Sequence, residues 1–162
     1  MKYHEYDIKD FNMIYFDEYL ALLNKVIEEG KWLARYEPFE YESSLEYIKN
    51  KHASRVPFIL VFDRDRLIGW CDADSSREGV GYLAIGLHED YRGKGIGKIL
   101  IKEIIKKSIE FGFNKINLSV RATNHRAIAL YKRIGFRQIE FITDGLILPN
   151  EKIDVVGMTL DL

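Results

Sequence analysis

The stretch Gly86-Leu87-His88-Glu89-Asp90-Tyr91-Arg92-Gly93-Lys94-Gly95-Ile96-Gly97-Lys98 carries the residues with the most legible chemistry. Gly93, Gly95 and Gly97 let the backbone turn sharply and bring its N–H groups close to a ligand. An apolar run precedes them and an amphipathic pattern follows, so the segment joins a strand to a helix. The start of that helix offers unpaired N–H groups and the positive end of its dipole. The combination binds phosphate or pyrophosphate. Arg92, Lys94 and Lys98 add cationic charge at the same place. A solvated cluster is the plain alternative, but cations crowded at a helix N-terminus oppose its dipole unless an anion compensates.

Three phosphate-binding loops compete for this segment. A Walker-type loop needs Gly-Lys-Ser/Thr, with the hydroxyl on magnesium. Here Gly93-Lys94 is followed by Gly95 and Gly97-Lys98 by Ile99, so the hydroxyl is missing. A dinucleotide fingerprint needs Gly-x-Gly-x-x-Gly and an acidic residue at the end of the next strand. Read from Gly93, the third glycine comes one residue early; read from Gly95, it is absent, and the next strand ends on Val120-Arg121. Arg/Gln-x-x-Gly-x-Gly/Ala is met without repair by Arg92, Gly95 and Gly97.

A second constellation lies downstream: Asn124-x-x-Ala127-x-x-Leu130-Tyr131-x-x-x-Gly135-Phe136. By itself Asn124 reads as a helix cap. Tyr131 sits on an apolar helical stripe, where most tyrosines are core residues.

Taken together, the two segments resemble the GNAT superfamily of N-acetyltransferases in type, order and separation. The resemblance covers Leu67–Phe136 well, the C-terminal hairpin loosely, and the chain before Pro57 weakly. It implies a single domain over residues 1–162, an α/β fold with a mixed, mostly antiparallel sheet, a splayed parallel strand pair and helices on both faces. It implies acetyl-CoA as co-substrate, with no metal. By the resemblance, backbone groups of Ile85, Gly86 and Leu87 pair with the pantetheine arm and polarise the thioester. Residues Arg92, Gly93, Lys94, Gly95, Ile96, Gly97 and Lys98 hold the pyrophosphate, Asn124 contacts the pantetheine, and Tyr131 reaches the sulfur as general acid. An oxyanion develops when an amine attacks a thioester, and preorganised N–H donors stabilise it. The departing thiolate needs a proton, which a tuned phenol can supply. Gly86 inside a strand suggests a bulge or a close backbone approach. Leu67-Ile68-Gly69-Trp70-Cys71-Asp72 and the glycine loop look similar to the phosphinothricin-type branch of small-molecule N-acetyltransferases. A small-molecule amine is then the expected partner, with room for a homodimer. A protein N-terminal or lysine acetyltransferase, a non-catalytic acyl-CoA sensor and, more distantly, an ATPase stay open as alternatives.

The general base is not legible. Many family members carry a carboxylate early on the strand before the glycine loop, and Gly81-Tyr82-Leu83-Ala84-Ile85 has none. Glu78, His88 and Glu89 flank it, and a water relay to one of them is equally open. His4, His52 and His125 are scattered, so His88-Glu89-Asp90 has no partners at metal-ligand spacing. Asp72-x-Asp74 fails as a calcium loop because Ser76 and the missing sixth-position glycine break it. Glu37-Pro38-Phe39-Glu40-Tyr41-Glu42, near Trp32 and Tyr36, is a candidate wall for a cationic acceptor, or an ordinary charged loop.

The elements that must position these residues follow from periodicity. Phe16, Tyr19, Leu20, Leu23 and Ile27 predict a helix closed by Gly30. Ser43 and Glu46 read as a capping box opening a helix through about Lys51. Strands are predicted over Val56–Phe62, Leu67–Asp74 and Val80–His88, with a turn at Asp63-Arg64-Asp65-Arg66. A helix runs from near Gly95 to Gly112, a strand over Lys115–Arg121, a helix from Thr123 or Asn124 to Gly135, and two strands over Gln138–Leu146 and Ile153–Leu160. Phe136 completes a Schellman closure.

The bulk composition agrees. At 47% hydrophobic, 162 residues can bury one sizeable core. A net charge of -1 gives no reason to expect nucleic acid or an anionic membrane as partner. No long apolar run and no signal-like N-terminus appear, so a cytoplasmic protein is expected. The single cysteine, Cys71, excludes an intrachain disulfide and reads as a buried thiol.

Overall fold

A computed structural model describes residues 2–3 and 6–162; His4 lies outside the described residues. The strands are β1 (Lys2–Tyr3), β2 (Tyr6–Asp10), β3 (Phe58–Asp63), β4 (Arg66–Arg77), β5 (Val80–Leu87), β6 (Lys115–Arg121), β7 (Arg137–Ile147) and β8 (Lys152–Asp161). The helices are α1 (Phe16–Glu28), α2 (Tyr41–Ala53), α3 (Ile96–Phe111) and α4 (His125–Ile134). One sheet runs in the order β1-β2-β3-β4-β5-β6-β8-β7. Every neighbouring pair is antiparallel except β5 and β6.

β3 reads as an unbroken apolar run because both faces of the sheet are covered. Successive side chains alternate sides. Ile59 and Val61 join Ile68, Leu118 and the α3 residues Leu100, Ile101 and Ile104 in one cluster. Phe58, Leu60 and Phe62 join Trp70 and the α1 residues Phe16, Tyr19 and Leu20 in the other. The expected mixed sheet with helices on both faces is therefore found.

Three features of the sequence reading need correction. β1 and β2 were not expected: Tyr6–Asp10 buries only Ile8, a pattern too short to register, and it is a strand because β3 offers it an edge to pair with. The capping box at Ser43 does not form. The helix starts earlier, at Tyr41, and the Ser43 hydroxyl donates to the Glu40 carbonyl at 3.3 Å. Tyr41 is drawn in by tertiary contacts, its ring packing edge-on against Phe16 and its hydroxyl donating to Asp17 at 2.9 Å. β4 continues past Asp74 to Arg77 because β5 pairs with it that far. The glycine stops behave as expected: Gly112 and Gly135 close their helices, and the Phe136 N–H donates to Tyr131 O at 3.0 Å.

The feature that shapes the site is where β5 and β6 part. They pair only at Val80–Lys115, Gly81–Ile116 and Tyr82–Asn117. Beyond that, β5 remains paired to β4 as far as Leu87, and β6 to β8 as far as Arg121. A wedge opens between them. The peptide groups of 83–87 that face it belong to an interior strand yet meet no strand partner on that side. Buried backbone groups in that state need a ligand or water.

Candidate active site

The loop after β5 delivers the start of α3 to the mouth of the wedge. Gly93 and Gly95 have φ of +82° and +83°, a region that side chains resist. Gly95 is the N-cap of α3 and provides no side-chain cap, so the first-turn N–H groups through Lys98 are left for an outside acceptor. A Cβ at Gly95 would meet nothing within 4 Å, which places this backbone at open space. Ile96 sends its side chain into the core, so only its backbone serves the site.

A cleft of about 490 Å³ occupies the wedge. Of the expected residues, Ile85, Gly86, Leu87, Arg92, Gly93, Gly95, Gly97, Lys98, Asn124 and Tyr131 all line it. Lys94 does not; its ammonium lies 5.1 Å from the Tyr91 ring centroid. Arg92 is not the free charge the sequence suggests. It donates to both Glu29 oxygens at 2.6 Å and to the Leu87 carbonyl at 2.8 and 3.0 Å. These bonds, with burial opposing them, hold the Glu29 carboxyl below its usual range. Free charge at the mouth comes instead from Lys98 and from two residues that sequence reasoning missed, Arg126 and Arg133. A Cβ on Gly93 would come within 2.6 Å of the Arg126 guanidinium, so that group lies against the loop. The available signal was an arginine in the first turn of a helix, where the dipole disfavours it unless an anion is near. Val26 and Trp32 were also missed, because α1 reaches the cleft only through the tertiary fold.

Gly86 is not at a bulge. Its register with Trp70 is regular. A Cβ there would fall inside the edge of the buried Trp70 ring, so close packing explains the glycine.

Asn124 caps α4, its Oδ1 accepting from the Ala127 N–H at 3.2 Å, while the residue still lines the cleft. Tyr131 is 7% exposed and packs against Phe136. Among the described residues its hydroxyl has no hydrogen-bond partner, yet it is not one of the enclosed polar atoms left unsatisfied, so it opens on the cleft rather than into the core. Burial, and secondarily the neighbouring Cys71, push its pKa up, so it stays protonated at neutral pH.

None of the lining residues is Asp, Glu or His. His88 is turned away. Its Nε2 lies 2.7 Å from Lys25 Nζ and 3.0 Å from Arg66, and burial followed by those cations pushes its pKa down. Glu89 lies 3.8 Å from Lys25. The acidic segment 37–42 does not line the cleft either; Arg35 stacks on Phe39 and donates to the Glu37 carbonyl, binding the segment to itself. Cys71 is fully buried, and burial raises its pKa, which leaves it inert. Among the described residues no three metal-ligating side chains come together, and no helix is long and apolar enough to cross a membrane.

A mixed sheet split at its one parallel pair, with a glycine-led helix start at the mouth of the split, puts the chain among the α/β folds. The chain belongs to the acetyltransferase (GNAT) family, whose model matches residues 22–136. It is 30% identical over 124 residues to a mycothiol acetyltransferase of Corynebacterium efficiens, covering 69% of this chain and 42% of that protein. It is 43% identical over 80 residues to an acetyltransferase of Sodalis glossinidius, covering 49% of this chain and 52% of the relative. The chain thus spans about half the length of such relatives. The fold is similar to that of a phosphinothricin acetyltransferase from Sinorhizobium meliloti solved with AcCoA, at TM-score 0.90 and 19% identity, covering 98% of this chain and 89% of the other. It is similar to that of a ribosomal-protein-alanine N-acetyltransferase from Brucella melitensis, at TM-score 0.90 and 19% identity, covering 96% and 99%.

Proposed function

We propose that this protein transfers an acetyl group from acetyl-CoA to the primary amine of a small molecule by direct attack on the thioester. One observation carries the reading: the β5–β6 wedge brings an uncapped helix start, cationic side chains and a phenol with no protein hydrogen-bond partner among the described residues into one cleft. The residues fit the co-substrate. First-turn N–H groups of α3, with Lys98 and Arg126, suit a pyrophosphate. The unpaired edge of β5 suits an amide-bearing arm lying along it as a strand would.

In this reading, β5 backbone N–H groups near Gly86 and Leu87 donate to the carbonyl oxygen as it becomes an oxyanion. The amine nitrogen bonds to the carbonyl carbon, the C–S bond breaks, and Tyr131 Oη gives its proton to the departing sulfur. The proton lost by the amine leaves through water and restores the phenol. Water fills the base role because the cleft walls contain no carboxylate or imidazole. The names of the mycothiol and phosphinothricin relatives support a small acceptor, while that of the ribosomal-protein-alanine enzyme supports a protein N-terminus.

The test is calorimetry with acetyl-CoA, then thiol release across amines, amino acids and peptides. Acetyl-CoA should bind without added metal and raise the melting temperature by linkage, with ATP or NAD doing much less. Tighter binding of ATP with magnesium would overturn the reading, and turnover on peptides alone would select the protein acceptor.

A further inference from the structure

Two arginines leaving opposite lips of the wedge converge on one short segment, 29–33. Arg92, in the loop after β5, grips Glu29 with two bonds of 2.6 Å, and its guanidinium lies 5.1 Å from the Trp32 ring centroid. Arg121 is the last residue of β6. It donates through Nη1 to the Gly30 carbonyl at 2.8 Å, and through Nε at 3.0 Å and Nη2 at 2.5 Å to the Leu33 carbonyl. Arg121 is only 3% exposed, and among the described residues its hydrogen bonds go to carbonyls alone; Glu151 attracts it from beyond ion-pair distance, and burial still pushes its pKa down. A desolvated guanidinium held by carbonyls alone is costly unless its bonds are kept. The position is therefore paid for by something other than surface charge pairing. Between the two grips, Trp32 lines the same cleft as Gly86, Leu87 and Tyr131.

We infer that Glu29–Leu33 is a strap drawn across the open end of the wedge, and that Arg121 is a positioning residue that holds it shut against water. The inference rests on the acetyl-CoA reading above. An activated thioester polarised by backbone donors is open to water as well as to amine. Water attacking the carbonyl carbon breaks the C–S bond and releases acetic acid and CoA thiol, wasting the acyl group. Excluding water suppresses that side reaction. The strap reaches both lips, so its closure also reports that β5 and β6 stand at the right separation. Arg121 needs no contact with substrate to do this.

The experiment uses the full chain and acetyl-CoA without any amine. Wild type, Arg121→Met, Arg121→Lys and Glu29→Gln are compared for far-UV circular dichroism, acetyl-CoA affinity by calorimetry, and thiol release. Arg121→Met should release thiol about tenfold faster than wild type while keeping its affinity, a change of about 1.4 kcal/mol in the barrier. Arg121→Lys, which keeps charge but loses the planar fork, should fall between the two. Glu29→Gln loosens the other grip and should also raise the rate. A merely structural role would lower stability and affinity together without raising hydrolysis. A folded Arg121→Met that binds acetyl-CoA and hydrolyses it at the wild-type rate overturns the inference. If Arg121→Met does not fold, Glu29→Gln decides by the same criterion. Wild-type protein that fails to bind acetyl-CoA overturns the parent reading, and that is seen before any hydrolysis is measured.

Discussion

Replacing Tyr131 by Phe separates chemistry from packing more cleanly than any other single change. The ring stays, together with its contact to Phe136 at 5.7 Å between centroids. Only the hydroxyl is lost, and it has no hydrogen-bond partner among the described residues. Deleting a satisfied buried hydroxyl costs about 1 kcal/mol. Deleting one that opens on the solvent of the cleft breaks no such bond, so stability should hold to within about 1 kcal/mol, or about 3 °C in melting temperature for a chain of this size. Loss of a general acid lowers turnover by about 10²-fold or more. The assay is thiol release with saturating amine, read beside thermal unfolding and acetyl-CoA calorimetry. Affinity should change little because the cleft wall keeps its shape. Burial first, and Cys71 second, raise the Tyr131 pKa, so the phenol keeps its proton across the assay range and adds no alkaline limb below about pH 10. A wild-type rate in the Phe variant, or a clear drop in melting temperature with the rate intact, would return Tyr131 to the core.

Three further outcomes are expected. Gly86→Ala should destabilise by about 2 kcal/mol in denaturant melts, because its methyl collides with the edge of a Trp70 ring that is itself enclosed by Tyr19; a neutral result would mean the ring can move. Gly95→Asp puts a carboxylate at the proposed anion site and a side chain at φ +83°, so acetyl-CoA affinity should fall by about 10²-fold or more while the circular dichroism stays native; unchanged affinity would remove the loop from the site. His88, with its folded pKa pushed below 6.5 by burial and then by Lys25 and Arg66, stays neutral where the unfolded chain takes up a proton. Stability should therefore fall as pH drops from about 6.5 toward 5, and His88→Gln should flatten that slope in melting-temperature scans; an unchanged slope would place the proton uptake elsewhere.

Most of the fold and the conformation of the glycine loop were legible because they depend on local chemistry. Glycine at a helix stop, alternation in Lys115–Arg121 and the stripe of α3 are readable within a few residues of chain. What was missed is long-range. The strand at Tyr6–Asp10 exists because the edge of β3 is free, and the start of α2 is moved by contacts to α1 across about 25 residues. For Gly86 the bulge was wrong and the close approach right, but what approaches is a tryptophan from the neighbouring strand, which no local pattern could name.

The sequence by itself determined that a helix begins at Gly95 with its N–H groups free, and that Asn124 and Tyr131 share the next helix. Glycine conformations, caps and periodicity are properties of a short segment, so they survive translation into structure. Only the tertiary structure decided which cations are free. Arg92, the most conspicuous charge in the loop, is consumed by Glu29 from α1, a residue 63 positions away, and Arg126 takes its place against Gly93. Charge at a site is a sum over everything the fold brings within a few ångströms, and burial weights each contribution. No local pattern contains that sum.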